Sequence, residues 1–333
     1  MKYDICAIGN ALVDTQYMVS YEFLESIGLE ADQMTLVSAE EQNEITEKLE
    51  KLGLKSISDC GGSATNSLVA SSSYGAKCHH VCRVSKDDDG VRYLDSLKNA
   101  DVYHKGFGEG HLDLPTGKCL ILVTPDAKRT MVSMLGVSAF LWSKDLDLEV
   151  IANSKIFYIE GYMVTSDENF NAVITVLEFL KDKSVLKALS LSDPGIVMGF
   201  RDKFEIIESY GIDMVFGNDD EAKAFSGKET LDEAVTFLKE KSFTSLITTG
   251  ADGSIVIADG SEELVSGEKI NPIDTNGAGD MFAGSFMYAY LEKMSLASCA
   301  KFANYAASKV VETFGPRLSK DGYLEVKNNI QKY

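Results

Sequence analysis

The sequence predicts one α/β domain built around a mostly parallel sheet, and three observations carry that prediction. The chain has 333 residues, 45% of them hydrophobic, which is enough apolar side chain for one large core. Beyond residue 60, short apolar runs of strand type alternate with helical segments, and such alternation builds parallel neighbours joined by right-handed crossovers. No internal repeat, low-complexity tract or Pro-rich linker interrupts the chain, so 1–333 reads as a single domain.

The elements follow in order. A strand over 3–9 opens the chain, and a helix over 63–74 follows, with Ser63 well suited as its cap. A strand at 77–84 and a helix at 87–98 come next, then a strand at 155–164, a helix at 167–181 and a strand at 186–191. Residues 204–209 belong to a helix, 213–216 to a strand, 231–241 to a helix and 246–249 to a strand. A strand-like stretch at 269–273 precedes an apolar helix carrying Met281, Phe282, Ala283, Phe286, Met287, Tyr290 and Leu291. Parallel sheets bind ligands outside the carboxyl ends of their strands, where Asn218 and Thr249 fall. Four extended stretches, 14–19, 34–37, 118–124 and 130–135, break the alternation. They read as too short and too polar-flanked for central parallel strands, and predict a small antiparallel sheet projecting from the body.

Composition excludes several functions. The formal net charge is −19, and a nucleic-acid or anionic-membrane partner would demand basic patches. A nucleotide must then be met by backbone dipoles, a few basic side chains and Mg²⁺. No basic leader or long apolar run is visible, so no targeting or membrane segment is expected. Cys6, Cys60, Cys78, Cys82, Cys119 and Cys299 are scattered, which suits reduced thiols in a cytoplasm. The run at 78–82, CHHVC, has metal-ligand residue types. Strand alternation puts Cys78, His80 and Cys82 on one face and His79 on the other, and with no second ligand cluster these read as small buried residues.

Residues 274–280, DTNGAGD, are the most informative seven. Gly277, Ala278 and Gly279 have almost no side chains, so their N–H groups can approach an anion, and the start of the helix adds partial positive charge. A carboxylate, Asp280, ends the loop. It would repel a phosphate unless it has a task there: accepting the proton of a hydroxyl that attacks the phosphate. The alternative is a glycine-rich turn with Asp as the helix cap.

DTNGAGD followed by MFAGSF resembles the C-terminal signature of the PfkB carbohydrate and nucleoside kinases, the ribokinase-like family, and Asn276 is similar to the adenosine kinase branch. Further motifs stand in the family's order. IGNALVD (8–14) resembles the N-terminal substrate motif, and GGSATNS (61–67) the adenosine kinase form of the glycine pair. PTGKC (115–119), KRTM (128–131) and EGYMVT (160–165) resemble lid and active-site-edge segments. NDDE (218–221) resembles the family's N-x-x-E, TTGADGS (248–254) its nucleotide loop, and NYAAS (304–308) the helix flanking adenine.

The resemblance implies a ribokinase-like three-layer α/β/α domain with a central mostly parallel sheet. It also implies a small β-sheet lid, built from about 12–38 and 100–136, that closes over the sugar and excludes water. It implies ATP as donor, Mg²⁺ and, in many members, K⁺ beside the anion hole, where Asp274, Asn276 and 311–315 occupy the matching stretch.

Roles carry over position by position. Asp280 resembles the general base, and Gly277, Ala278 and Gly279 the anion hole that also touches the nucleotide. Asn10 and Asp14 match contacts to vicinal ribose hydroxyls, with turn chemistry as the alternative. Gly61, Gly62 and Asn66 match further ribose contacts, or a capping loop. Asn218 and Glu221 match the pair that positions Mg²⁺ and nucleotide, through water, or an acidic helix start. Thr249, Gly250 and Gly253 would line the nucleotide phosphates and ribose, and Asn304 would edge the adenine. Arg129 matches a lid arginine that reaches phosphate, or a solvated surface residue. Tyr162, Met163, Leu12, Met34 and Met131 suit an apolar slot for a purine, or plain core.

Two departures stand out. RVSKD at 83–87 replaces a glycine-rich turn, and Gly195 stands where adenosine kinases tend to place an aromatic against the base. The implied activity is ATP-dependent phosphorylation of the 5′-hydroxyl of a ribonucleoside, adenosine to AMP first. A free-sugar kinase acting on ribose, fructose or a keto-deoxy sugar acid is the alternative. A non-catalytic nucleoside-binding protein is disfavoured by Asp280, and a dehydrogenase by the lack of G-x-G-x-x-G after the first strand. Monomer and homodimer both stay open.

Overall fold

Two sheets organise the chain in a computed structural model that describes residues 3–31, 33–108, 113–126 and 128–333. Fourteen strands are present among the described residues: β1 (Ile5–Ile8), β2 (Leu12–Met18), β3 (Met34–Leu36), β4 (Ser56–Cys60), β5 (Cys78–Val81), β6 (Val102–His104), β7 (Gly117–Val123), β8 (Arg129–Met134), β9 (Ile156–Ile159), β10 (Leu186–Ser190), β11 (Met214–Asn218), β12 (Thr244–Thr248), β13 (Gly253–Ala258) and β14 (Ser261–Ser266).

The larger sheet has nine strands in the order β14-β13-β12-β11-β10-β9-β1-β5-β6. From β6 to β12 every pair is parallel, while β13 and β14 add an antiparallel edge. The central strands β1 (ICAI), β5 (CHHV) and β9 (IFYI) are buried throughout, as parallel strands covered on both faces must be. Their period-two alternation divides the core. Ile5, Ala7 and Tyr158 pack with helices Ser63–Tyr74, Ala278–Leu291 and Leu296–Val311 on one side. Cys6, Ile8, Phe157 and Ile159 pack with helices Asp167–Leu180, Arg201–Ser209 and Leu231–Lys239 on the other. That is a three-layer α/β/α body.

The second sheet has the order β3-β8-β7-β2-β4 and departs from the expectation in three ways. It is mixed rather than antiparallel, because β2 runs parallel to β7 and β3 parallel to β8. Its two central strands beside β8 and β4 are not short: β2 and β7 have 7 residues each, whereas β1 and β9 have 4, and only the edge strand β3, with 3, is shorter. What separates this sheet is its two unlike faces. Tyr17, Leu120, Leu122 and Val132 pack on one face with Leu24, Ile45 and Leu49, the last two from a helix at Ala39–Lys51, while Cys119, Ile121 and Val123 turn the other way with Leu12 and Met131. The lid boundaries shift accordingly, since β4 belongs to the lid and β6 to the larger sheet. Residues 32, 109–112 and 127 of the expected lid segments lie outside the described residues.

The stretch at 269–273 is not a strand. The chain leaves β14 at Ser266, Pro272 has no N–H to give a ladder, and Ile273 N donates instead to Val311 O at 2.7 Å. In place of the family's glycine-rich turn, Asp87 caps the next helix at Gly90 N, 2.8 Å away, and takes Thr116 N and Oγ1 at 2.8 and 2.6 Å.

Candidate active site

A cavity of about 290 Å³ lies between the lid and the carboxyl ends of the parallel strands. The lid lines it with the apolar side chains Leu12, Met34, Leu36, Cys119, Ile121, Met131 and Leu135 and with Asp14, Arg129 and Ser133, and Tyr162 lines it from the body. The body adds the carboxylates Glu160, Glu221 and Asp280, which makes four with Asp14, among neutral polar side chains such as Asn10, Asn66 and Asn218.

Asp280 is the third residue of the helix Ala278–Leu291, whose N-cap is Gly277 with φ 75°. A Cβ on Gly277 would lie 2.6 Å from Pro316, whereas one on Gly279 would meet nothing within 4 Å. The first glycine is therefore required by the chain's own packing, and the second leaves space open. The helix has no side-chain cap, so the alternative of Asp280 as a capping residue is set aside. Its carboxylate reaches across to the helix Ser63–Tyr74, where Oδ1 accepts from Ser63 Oγ at 2.5 Å and Oδ2 from Asn66 Nδ2 at 2.8 Å. Burial raises the Asp280 pKa, and the Ser63 and Asn66 bonds and the Arg317 charge oppose the rise. Ser63 is not the cap of its helix as expected. Gly62 takes that place with φ 93°, which frees the Ser63 hydroxyl for Asp280.

Gly61 and Gly62 have packing reasons of their own. A Cβ on Gly61 would fall 2.0 Å from Asp14 Oδ2, and one on Gly62 would fall 2.4 Å from Asn10 O. Gly62 lines the cavity and Gly61 does not; Gly61 makes room for the Asp14 carboxylate. Burial pushes Asp14 up to about 7, opposed by Arg317 and assisted by Asp59 and Asp280.

Asn10 also lines the cavity, but its carboxamide is engaged inside the protein. Its Nδ2 donates to Glu160 Oε1 at 3.2 Å, and its Oδ1 accepts from Ser138 Oγ and Asn169 Nδ2, both at 3.2 Å. Glu160 binds Asn10 N and Ala64 N as well, at 3.1 and 2.8 Å, and burial pushes it up to about 7. Sequence reasoning gave Glu160 no role of its own. The available signal was a lone acid directly after the buried run IFYI, at the carboxyl end of a central strand.

Asn218 and Glu221 form a capping box. Asn218 Oδ1 accepts from Glu221 N at 2.8 Å, and Glu221 accepts from Asn218 N and Nδ2 at 3.1 and 2.8 Å. The helix-start alternative is thus realised, on residues that still line the cavity. Burial pushes Glu221 up to about 8, with Asp193, Asp280 and Asp220 adding to the rise. Among the described residues no three acidic, histidine or cysteine side chains gather as a ready-made metal site, and with both Glu221 oxygens already accepting from Asn218 a divalent cation would be met there through water.

Arg129 is not a solvated surface residue. It forms an ion pair with Asp274, joining β8 of the lid to the segment that precedes the anion loop. Asp274 also accepts from Asn276 N and Gly315 N, at 2.8 and 3.0 Å. The stretch matched to a K⁺ site, Asp274 with 311–315, is thus tied to the lid through Arg129.

A second cavity of about 250 Å³ adjoins the first, lined by Thr248, Gly250, Ala251, Gly253, Ile270, Phe282, Asn304 and Val311 among others. Asn304 is tethered there by a bond from Nδ2 to Val265 O at 3.0 Å. Gly253 has φ 108°, and its Cβ would strike Val265 O at 2.1 Å. Thr249 is a correction: β12 ends one residue earlier, so Thr248 lines the cavity, and Thr249 Oγ1 is buried with no partner. Met163 is another, since it packs in the core rather than the cavity wall. Gly195 does not line the cavity; it lies in the short helix Pro194–Gly199. The two cavities share Thr275, Ala278 and Gly279, so the anion loop is their common wall.

Residues 25–321 match the model of the pfkB family carbohydrate kinase. Adenosine kinase of Saccharomyces cerevisiae is 27% identical over 340 residues, covering 95% of this chain and 97% of its own. The crystal structure of adenosine kinase from Sinorhizobium meliloti superposes with a TM-score of 0.90 at 28% identity, over 98% of this chain and 99% of that one. A probable sugar kinase from Rhizobium etli CFN 42 superposes with a TM-score of 0.91 at 25% identity, over 99% of both chains. The chain belongs to the PfkB family of carbohydrate kinases, enzymes that transfer a phosphoryl group to a hydroxyl, and its ribokinase-like fold is that of these neighbours.

Proposed function

We propose that this PfkB-family kinase transfers the γ-phosphoryl group of ATP to the 5′-hydroxyl of a ribonucleoside, with adenosine as the preferred acceptor. One observation carries the reading: Asp280 lines the acceptor cavity directly after Ala278 and Gly279, which line both cavities. An acceptor hydroxyl beside Asp280 gives its proton to the carboxylate as its oxygen attacks the γ-phosphorus, and the bond to the ADP oxygen breaks. The first-turn N–H groups of the helix Ala278–Leu291 have no intrahelical carbonyl to meet, and they hold the transferring group.

Asn218 and Glu221 would hold Mg²⁺ through water, where it would neutralise phosphate oxygens. Asp14, Gly62 and Asn66, which line the cavity, would meet a ribose, with Asn10 acting through Glu160. Thr248, Gly250 and Gly253 take the ATP phosphates and ribose, and Asn304 the adenine edge. The scattered free thiols favour a cytoplasmic enzyme.

The apolar side chains of the lid favour adenosine over a free sugar, because burying a purine against them supplies binding energy that can close the lid and orient the 5′-oxygen. The sugar reading draws on the likeness to the Rhizobium etli protein and on Gly195, which supplies no aromatic. Steady-state kinetics with adenosine, inosine, ribose and fructose separates them. Adenosine should exceed ribose in kcat/KM by at least about 10²-fold, roughly 3 kcal/mol, a modest return for a buried aromatic base. Equal turnover of ribose and adenosine, or turnover of fructose alone, refutes the nucleoside assignment.

A further inference from the structure

Behind Asp280, on the side away from the acceptor, lies an arginine that no motif marks. Arg317 Nε donates to Asn66 Oδ1 at 2.8 Å, and Nη1 donates to Ser96 Oγ at 3.1 Å. Asn66 in turn donates from Nδ2 to Asp280 Oδ2 at 2.8 Å. A guanidinium only donates, so with Arg317 on its oxygen the Asn66 carboxamide must present its NH₂ to the base. Without that lock the amide is free to turn its oxygen toward the carboxylate.

The charge balance points the same way. The titratable groups that act on Asp280 or feel its charge are Asp14 on β2, Tyr158 on β9, Glu160, Tyr162, Glu221 and Tyr323, every one of them an acid. Arg317 is the cation that acts on Asp280, and it also opposes the rise at Asp14. Among the described residues it makes no ion pair, and its Nη2 is buried without a hydrogen-bond partner. Its charge is therefore not committed to a surface acid. The same short segment shapes the anion loop, for Pro316 packs on Gly277 and Gly315 N donates to Asp274 Oδ2 at 3.0 Å.

We infer that Arg317 is a positioning residue for phosphoryl transfer: through its bond to Asn66 Oδ1 it fixes the Asn66 carboxamide, which in turn aims the Asp280 carboxylate at the acceptor. The inference deepens the proposed function and rests on Asp280 acting as the base.

The test is the pH dependence of kcat in Arg317→Met, Arg317→Gln and Arg317→Lys, together with a direct carboxyl titration. Removing the cation raises the Asp280 pKa, so the base is protonated at a pH where it is ionised in the wild type. The acid limb of kcat should move up by about one pH unit in the Met and Gln variants, and activity should recover as pH rises. Lys restores the charge and should bring the limb back toward wild type. A merely structural role would lower activity at every pH, leave the limb in place and show no recovery with Lys. The Gln variant keeps a donor for Asn66, so it carries the test if Met fails to fold.

Carbon-13 NMR of aspartate-labelled protein, with the Asp280 signal assigned by its loss in Asp280→Asn, reads the same shift without any acceptor. If the wild type phosphorylates none of the acceptors, the proposed function fails while the carboxyl titration still decides on Arg317. An Asp280 titration and an acid limb that both stay put in the neutral variants overturn the inference.

Discussion

The two cavities are near equals in size, about 290 and 250 Å³, yet their walls differ in kind. The acceptor cavity carries four carboxylates, with Asp14 and Glu160 pushed up to about 7 and Glu221 to about 8. The second cavity is built from glycine, alanine and apolar side chains with the neutral polar Thr248, Thr275, Asn304 and Ser308, and Glu268 is its acid. The difference teaches how a chain of net charge −19 handles a polyanion. On the proposed function, acids collect where the guest would be an uncharged nucleoside, and backbone dipoles stand where the polyphosphate would lie. Only at Thr275, Ala278 and Gly279 do the two meet, and Asp280 follows at once on the acceptor side.

The largest effect expected from disturbing this division is at Asp280. Asp280→Asn should lower kcat by roughly 10²–10⁴-fold, the usual worth of a positioned base, while nucleotide binding by titration calorimetry stays intact. A near-normal rate in that variant would move the base elsewhere.

The two glycines of the shared wall give the next largest effect, and they should respond in opposite ways. Gly277 has φ 75° and no room for a Cβ beside Pro316, so Gly277→Ala should lower the melting temperature, at a cost of about 1–3 kcal/mol. Gly279 has open space around its Cα, so Gly279→Ala should melt near wild type yet lose about tenfold or more in kcat/KM for ATP, because the added methyl enters the passage between cavities. Equal melting temperatures, or full activity in Gly279→Ala, would show that the wall does not divide the roles this way.

The smallest effect concerns the raised acids. Burial pushes Glu221 up to about 8 from its ordinary 4.5, so the folded state holds its proton more tightly than the unfolded one. Stability without ligand should therefore be full at low pH and decline as pH rises through that window. Mg²⁺ with ATP should restore it at the upper end. Glu221→Gln should flatten the decline and raise the Mg²⁺ concentration for half-maximal activity. Thermal melts across pH and a Mg²⁺ titration of rate check both; an unchanged Mg²⁺ requirement assigns Glu221 to helix capping alone.

Much of the body was legible because its determinants are local. Buried runs such as IFYI and ICAI and the DTNGAGD loop announce themselves within a few residues. Some local signals went unused. Ser38 and Glu41 form the capping box of the helix Ala39–Lys51, and Asp259-Gly260, with φ 50° and 73°, makes the β13–β14 turn. Other features are long-range and leave no trace in spacing. The parallel pairing of β2 with β7 sets the mixed lid, and it depends on segments far apart in the chain. Ser63 read as a cap because its sequence context suits one, and only the approach of Asp280 gives its hydroxyl another partner. Arg317 had no motif at all, since its meaning comes from Asn66 across the fold.

The central claim, that two cavities meet at the anion loop so that a phosphoryl group passes from one to the other, is tested most directly by a ligand that spans both. Two adenosines joined 5′ to 5′ by a tetraphosphate provide it, with binding read by titration calorimetry and inhibition by kinetics. The account predicts one molecule bound per chain, competition with ATP and with adenosine alike, and weaker binding in Gly279→Ala. Competition with only one of the two substrates, or two molecules bound per chain, would contradict it.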